Sequence, residues 1–254
     1  MSRIIGANIL LVTLRPTLVM LCLSLLWFPG QNRHLHAVTK ISPIFQVSPE
    51  LKPRVDFWQN IFLRYGDNTF VIHDRDYPWI VIDYVFFAQI ARSKNKPHLL
   101  NRKQQQLIME RYLKRLNRGL KRFAKNHTKA LSHHKIERKI FTAYHTSPEL
   151  LDRLITGQAV IRAQRGLADS FLYAARQAQD YLPYFEREFR EVGTPIELTR
   201  LAFVESMFNP RAISKVGASG MWQFMRATAQ HYLQVNKNID ERHSPFKAAR
   251  AAAT

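Results

Sequence analysis

The residues best suited to chemistry fall in one stretch, positions 193–233: GTPIELTRLAFVESMFNPRAISKVGASGMWQFMRATAQHYL. Glu205 stands there among Phe203, Met207 and Phe208. Proline at 195 and the Asn209-Pro210 step bracket a predicted helix, because proline suits a first helical turn and disfavours helix just before itself. Thr194 and Glu197 have the spacing of a capping box at that start. Glu205 is then expected in the last turn. A helix C-terminus disfavours negative charge, and so do apolar neighbours. Both effects favour a protonated carboxyl, which is what a general acid needs near neutral pH. The small residues of Ser214–Gly220 permit tight turns and a close approach of ligand to backbone. A second helix is predicted from Trp222 to Leu233, with Gln223, Phe224 and Met225 beside that loop. An amide can hold sugar hydroxyl or acetamido groups, and aromatic faces can stack on sugar rings. By composition alone, a glutamate near a helix end is more often an ordinary surface residue.

The rest of the chain must position this segment, and its patterning is mainly helical. Val55–Tyr65 places Phe57, Trp58, Ile61, Phe62 and Tyr65 at helical spacing. Thr69–Ile72 and Trp79–Val85 are β-branched and aromatic, and predict a short hairpin or a strand leading into a helix. Arg92–Lys139 holds 16 Lys and Arg against two acids, Glu110 and Glu137. Within it Tyr112, Leu113, Leu116, Leu120 and Phe123 form an apolar stripe, so an amphipathic helix with a basic outer face is expected. That face suits anionic lipid head groups or peptidoglycan carboxylates, and equally a plain solvated surface. Ser147-Pro148-Glu149 opens a further helix. A long helical stretch over Gly166–Glu191 follows, which Pro183 is expected to break in two. Metal binding is not expected. His133 and His134 are adjacent and cannot share a helix face, and Arg75 splits the acids of His73-Asp74-Arg75-Asp76.

Lys and Arg number 38 against 19 acids, a formal charge of +19, which favours anionic partners. Cys22 is the one cysteine, so no internal disulfide and no Cys-rich zinc site can form. Ile4–Phe28 is apolar apart from the Arg15-Pro16 step. Its Thr17–Phe28 run has the length of an export-signal core and is short for a membrane span. Residues 1–30 are therefore read as a signal peptide or retained membrane anchor. Leu35-His36-Ala37 lacks the small residue wanted at a cleavage site, and Val19-Met20-Leu21 before Cys22 does not make a lipoprotein box. Export points to the periplasm or cell envelope and away from nucleic acid. Residues 31–54 read as a linker, 55–180 as a mainly helical region and 181–254 as the chemistry-bearing segment.

That segment resembles the catalytic domain of soluble lytic transglycosylases, which is related to goose-type lysozyme. The residues that carry the likeness are Glu205-Ser206, Phe208-Asn209-Pro210, Ala212, Ser214, Gly217-Ala218, Gly220, Gln223 and Met225, in register. Gly193, Pro195, Glu197 and Leu198 match the lead-in, while Trp222 and Asp240-Glu241-Arg242 suit the membrane-bound D-type branch. Phe203 stands where the family often has proline. The resemblance implies a mainly α, lysozyme-like helical domain, incomplete at its C-terminal side, preceded by a helical region with a short β-hairpin. It implies cleavage of the β-1,4 bond between N-acetylmuramic acid and N-acetylglucosamine in peptidoglycan strands, with Glu205 as the catalytic residue. Ser214, Gln223 and Met225 would line the site, and Phe208 joins them as a substrate-binding candidate. One carboxylate suffices in such a reaction, because the muramic C6 hydroxyl replaces water and closes a 1,6-anhydro ring; no cofactor is implied. The family's downstream A-Y-N-x-G element does not occur before Thr254. An inactive peptidoglycan-binding chain and a lysozyme-like hydrolase are the alternatives.

Overall fold

The computed structural model describes residues 45–93, 100–125 and 135–254. The expected export segment, most of the expected linker, and His133 and His134 lie outside the described residues. The chain divides into two compact units. One is Gln59–Ala168; the other joins the described residues up to Trp58 with Asp169–Thr254. Helix α1 spans Lys52–Leu63, so the helix expected from Val55 begins three residues earlier, inside the stretch read as linker.

In the unit 59–168 a three-stranded antiparallel sheet has the order β2-β1-β3. Strands β1 (Thr69–Asp74) and β2 (Val81–Phe86) form the expected hairpin, paired from Thr69↔Phe86 to His73↔Val81 with an irregularity between Ile72 and His73. Its turn is made by Asp74, whose Oδ1 accepts the backbone N–H groups of Asp76 (2.7 Å) and Tyr77 (2.9 Å). The third strand, β3 (Ile161–Arg165), was not foreseen: its sequence IRAQR is mostly polar, and only its pairing with β1 from Phe70↔Arg165 to Asp74↔Ile161 makes it a strand.

Helices α2 (Phe87–Ser93), α3 (Arg102–Lys125), α4 (Lys135–Tyr144) and α5 (Pro148–Ile155) complete this unit. Asn101 and Gln104 cap α3 reciprocally, each side chain accepting the other's backbone N–H. Ser147 caps α5 by accepting the N–H of Leu150. The apolar stripe of α3 is inward: Leu116, Leu120 and Phe123 are buried with Ile72, Phe87, Ile140 and Tyr144. Gly119 lets α3 and α4 approach closely, since a Cβ there would meet the Ile136 side chain at 2.8 Å.

The other unit is built on α6 (Ala168–Val192), which buries Phe171, Ala178, Leu182, Phe185 and Phe189. Pro183 lies inside this helix and does not divide it, contrary to the expectation. Buried apolar side chains on both sides of the proline, Leu182 and Phe185, hold the two halves in line against a cost of about 3 kcal/mol. A 3-10 turn over Ile196–Arg200 leads into α7 (Leu201–Ser206). After it come α8 (Arg226–Ala229), a 3-10 turn at Glu241–His243 and α9 (Pro245–Ala253), capped by Ser244. No described helix is long and apolar enough to cross a membrane. Among the described residues no group of three His, Cys, Asp or Glu could hold a metal ion.

Candidate active site

Glu205 lies in the last turn of α7, as the spacing predicts, but the helix around it is shorter at both ends. Pro195 makes no side-chain cap. Thr194 instead donates its hydroxyl to the carbonyl of Ala253 at 2.6 Å, and Glu197 is buried, so the expected capping box is replaced by a tertiary contact with α9. Arg200 is buried, bonded to Glu186 on α6 and to the Thr199 hydroxyl at 2.6 Å. This pair ties the start of α7 to α6.

At the other end α7 stops at Ser206, ahead of the expected Asn209-Pro210 stop. Met207 (φ 54°) and Phe208 (φ 56°) both take left-handed backbone, a conformation usually left to glycine. Their N–H groups bond the carbonyls of Phe203 and Ala202. Burial compensates: Phe208 has no exposed surface, and its ring meets Phe203 at 4.5 Å and Phe185 at 6.0 Å. Phe208, expected to touch substrate, is thus a core residue beneath Glu205 with no face open to ligand.

Ser206 fixes the turn. Its hydroxyl donates to the carbonyl of Met221 (2.8 Å) and accepts the N–H of Asn209 (3.1 Å). Glu205 is therefore held one residue away from an anchor into the loop that follows. That loop is a compact fold of its own. Isolated bridges pair Ile213 with Ser219 and Ser219 with Phe224. Ser214 accepts the N–H of Ala218 on its side chain at 2.9 Å. Gly220 has φ 77°, and a Cβ there would lie 1.7 Å from the carbonyl oxygen of Arg242, so no other residue fits without displacing backbone.

Gln223 also has left-handed backbone (φ 50°). Its amide NH2 donates to the carbonyls of Gly220 (2.7 Å) and Ala212 (3.2 Å). The group expected to read a sugar thus has its donors engaged in holding the loop, and its carbonyl oxygen is the end left for a ligand. The turn at Gln223 also shortens the helix expected over Trp222–Leu233 to Arg226–Ala229. Met225, just ahead of α8, is 46% exposed.

Arg242 locks the loop from the far side. Its guanidinium pairs with both oxygens of Asp240 (2.8 and 2.6 Å) and donates to the carbonyls of Gly217 (2.9 Å) and Phe224 (3.1 Å). The Arg242 guanidinium holds the Asp240 carboxyl below its ordinary range. Next to it, His243 bonds the Pro210 carbonyl through Nδ1 (3.0 Å) and the Ser219 hydroxyl through Nε2 (3.1 Å). The carbonyl can only accept, so Nδ1 carries the proton and Nε2 accepts from Ser219.

A cavity of about 350 Å³ opens beside Glu205. Leu198, Leu201, Trp222, Phe224 and Tyr232 are among its walls. Glu205 is half-buried there, the one acidic side chain on a lining that is mainly apolar and aromatic and also includes Thr228 and Thr254. Trp222 stacks on Phe189 at 5.5 Å, and its indole N–H is buried without a partner. Ser214, Gln223 and Met225 are not among the cavity walls; they lie on the adjoining loop, with Gln223 flanked in sequence by the wall residues Trp222 and Phe224. The sequence reading passed over Leu198, Leu201 and Tyr232 as walls and Arg242 as a lock. Two signals bore on them: the spacing of Leu198 and Leu201, three apart on one face, and the place of Arg242 in Asp240-Glu241-Arg242.

Residues 184–254 match the family described as the Transglycosylase SLT domain. Over 77 residues the chain is 32% identical to "Membrane-bound lytic murein transglycosylase D" of Escherichia coli (strain K12), covering 30% of this chain and 17% of that protein. A protein of Alteromonas sp. (strain M-1), named for tributyltin chloride resistance, is 36% identical over 77 residues, 30% of this chain and 37% of its own length. The chain thus matches well under half the length of these relatives. No solved structure matches it.

Proposed function

We propose, from the match of residues 184–254 to the Transglycosylase SLT domain, that the chain is a peptidoglycan lytic transglycosylase with Glu205 as its acid and base. The supporting observation is the placement of Glu205 as the one acidic side chain on a cavity wall that is mainly apolar and aromatic. A two-carboxylate glycosidase would need a second acid on that wall. One suffices when the nucleophile belongs to the substrate. Glu205 donates its proton to the glycosidic oxygen as the bond from muramic C1 breaks, and N-acetylglucosamine leaves with its 4-hydroxyl restored. The C6 hydroxyl of the same muramic residue then attacks C1, and its proton passes to the Glu205 carboxylate. The product carries a 1,6-anhydro ring, no water is consumed, and Glu205 ends protonated as it began.

In this reading Trp222, Phe224 and Tyr232 offer faces for sugar rings, and the free carbonyl of Gln223 accepts from a hydroxyl or acetamido N–H. Ser214 and Met225 border the same path. The partner is the glycan strand of peptidoglycan, the place of action is the cell envelope, and residues 1–30 act as export signal or anchor. The reaction requires no metal or cofactor.

Digestion of purified sacculi by the full chain, with products read by mass spectrometry, tests this reading. Anhydro-muramic ends are expected from the wild type and none from Glu205→Gln. Reducing muramic ends would mark a hydrolase. Binding to sacculi without any cleavage would mark a non-catalytic chain.

A further inference from the structure

The unit 59–168 carries a surface that the cavity chemistry does not use. Helix α3 is 24 residues long, about 36 Å. Its buried positions, from Gln105 through Leu116 to Phe123, share one side. The helix exposes nine Lys and Arg side chains, most of them opposite that side, and one acid, Glu110. Arg111, Lys114, Arg118, Lys121 and Lys125 step by three and four residues and so form a single row. Lys135 and Arg138 of α4 are exposed as well.

Among the described residues, only Arg122 of the nine is ion-paired, to Glu137 at 2.6 Å. Glu110 is engaged by Gln106 at 3.0 Å. The row therefore holds like charges at helical neighbours such as Arg111 and Lys114, or Lys114 and Arg118. Each such pair weakens a helix in water. An anionic counter-surface turns that repulsion into attraction.

We infer that the exposed face of α3 docks on the surface of an anionic lipid bilayer. The cations run along one side of a long helix, the form that can meet a plane. Its apolar stripe is buried in the protein core, so the helix adsorbs through charge and does not insert. Leu107, 46% exposed near the start of the row, is the apolar side chain that can reach below the head groups. Unpaired bases find no platform here. Tyr112 is half-buried with its hydroxyl on Asp83, and Phe123 is buried, so no exposed aromatic ring interrupts the cations.

The test is co-sedimentation of the full chain with vesicles of pure phosphatidylcholine and of a phosphatidylcholine–phosphatidylglycerol mixture, at low and high salt. Neutral vesicles register whatever residues 1–30 contribute. Tighter binding to the anionic vesicles, weakened by salt, is expected from the wild type. The variant Arg111→Gln, Lys114→Gln, Arg118→Gln, Lys121→Gln should lose that preference by up to several hundred-fold, at about fivefold for each basic residue near an anionic surface. All four positions are exposed and their mutual repulsion is relieved, so the variant folds, which circular dichroism checks. Equal preference for anionic vesicles in both proteins would overturn the inference. So would a variant that keeps vesicle binding and loses binding to sacculi or duplex DNA instead. Muropeptide release from sacculi reports on Glu205 separately and is expected unchanged in the variant.

Discussion

Two polar networks in this molecule use similar side chains to opposite ends. In the unit 59–168, Asp74 has no exposed surface and accepts four bonds or charges. They come from the N–H groups of Asp76 and Tyr77, from the Tyr144 hydroxyl at 2.6 Å, and from the Arg153 guanidinium at 3.7 Å. Burial, with Asp74 beside it, pushes the Tyr144 hydroxyl far up, so it remains a donor. The carboxylate is surrounded on every side and has nothing to offer a ligand. In the segment 194–243 the polar side chains mostly hold backbone: Ser206 holds Met221, Gln223 holds Gly220 and Ala212, and Arg242 holds Gly217 and Phe224. The carboxylate there stands on a cavity wall. Saturating a buried acid builds a hairpin turn. Holding the backbone around a half-exposed acid builds a site.

Breaking the saturated network should cost most. Asp74→Ala strands the Tyr144 hydroxyl, two N–H groups and part of the Arg153 charge in the interior, and is expected to destabilise the unit 59–168 by about 3–5 kcal/mol. Urea unfolding of the full chain checks this. A loss below about 1 kcal/mol would show that the network is dispensable.

The same region should also sense acid. Burial pushes His73 down to about 4, so the folded state favours the neutral ring. The unfolded state takes up a proton first as pH falls. The stability tied to His73 is therefore fully present above about pH 6.5 and is lost progressively down to about pH 4, up to roughly 3 kcal/mol in all. Urea midpoints measured across that range should fall in the wild type and flatten in His73→Phe.

The site segment should respond less in stability and more in rate. Arg242→Ala removes the guanidinium from Asp240 and leaves the Gly217 carbonyl without its donor, while the Phe224 carbonyl keeps the Ser219 N–H, a cost of about 2 kcal/mol. Its loop carries no atom of Glu205, yet the anchors around the cavity loosen. Muropeptide release should fall mainly through kcat, with KM little changed, since positioning of the acid matters most in the transition state. Arg242→Lys restores one charge but not the four-way grip, and should recover stability toward Asp240 without recovering the rate. Equal rates in all three proteins would remove Arg242 as a positioning residue.

Much of the local structure was legible in the residues. Apolar spacing placed a helix through Phe57–Phe62, β-branched runs placed the hairpin, Ser147-Pro148 marked the start of α5, and the length of the Pro195–Asn209 interval put Glu205 in a last turn. These are short-range patterns, and neighbours in sequence decide them. Much of what the residues alone misplaced involved a partner farther along the chain. Thr194 is drawn from its cap by Ala253, β3 becomes a strand only beside β1, and α6 runs through Pro183 because its flanks are buried. Ser206 ends α7 early through Met221 and the packing of Phe208, and Gln223 turns inward to Gly220 and Ala212. Sequence by itself singled out Glu205 as the candidate acid and set which side of each helix is apolar. The tertiary structure decided where helices stop and which polar groups remain available to a ligand, because a buried donor or acceptor takes the partner that packing brings within reach, whatever its distance in sequence.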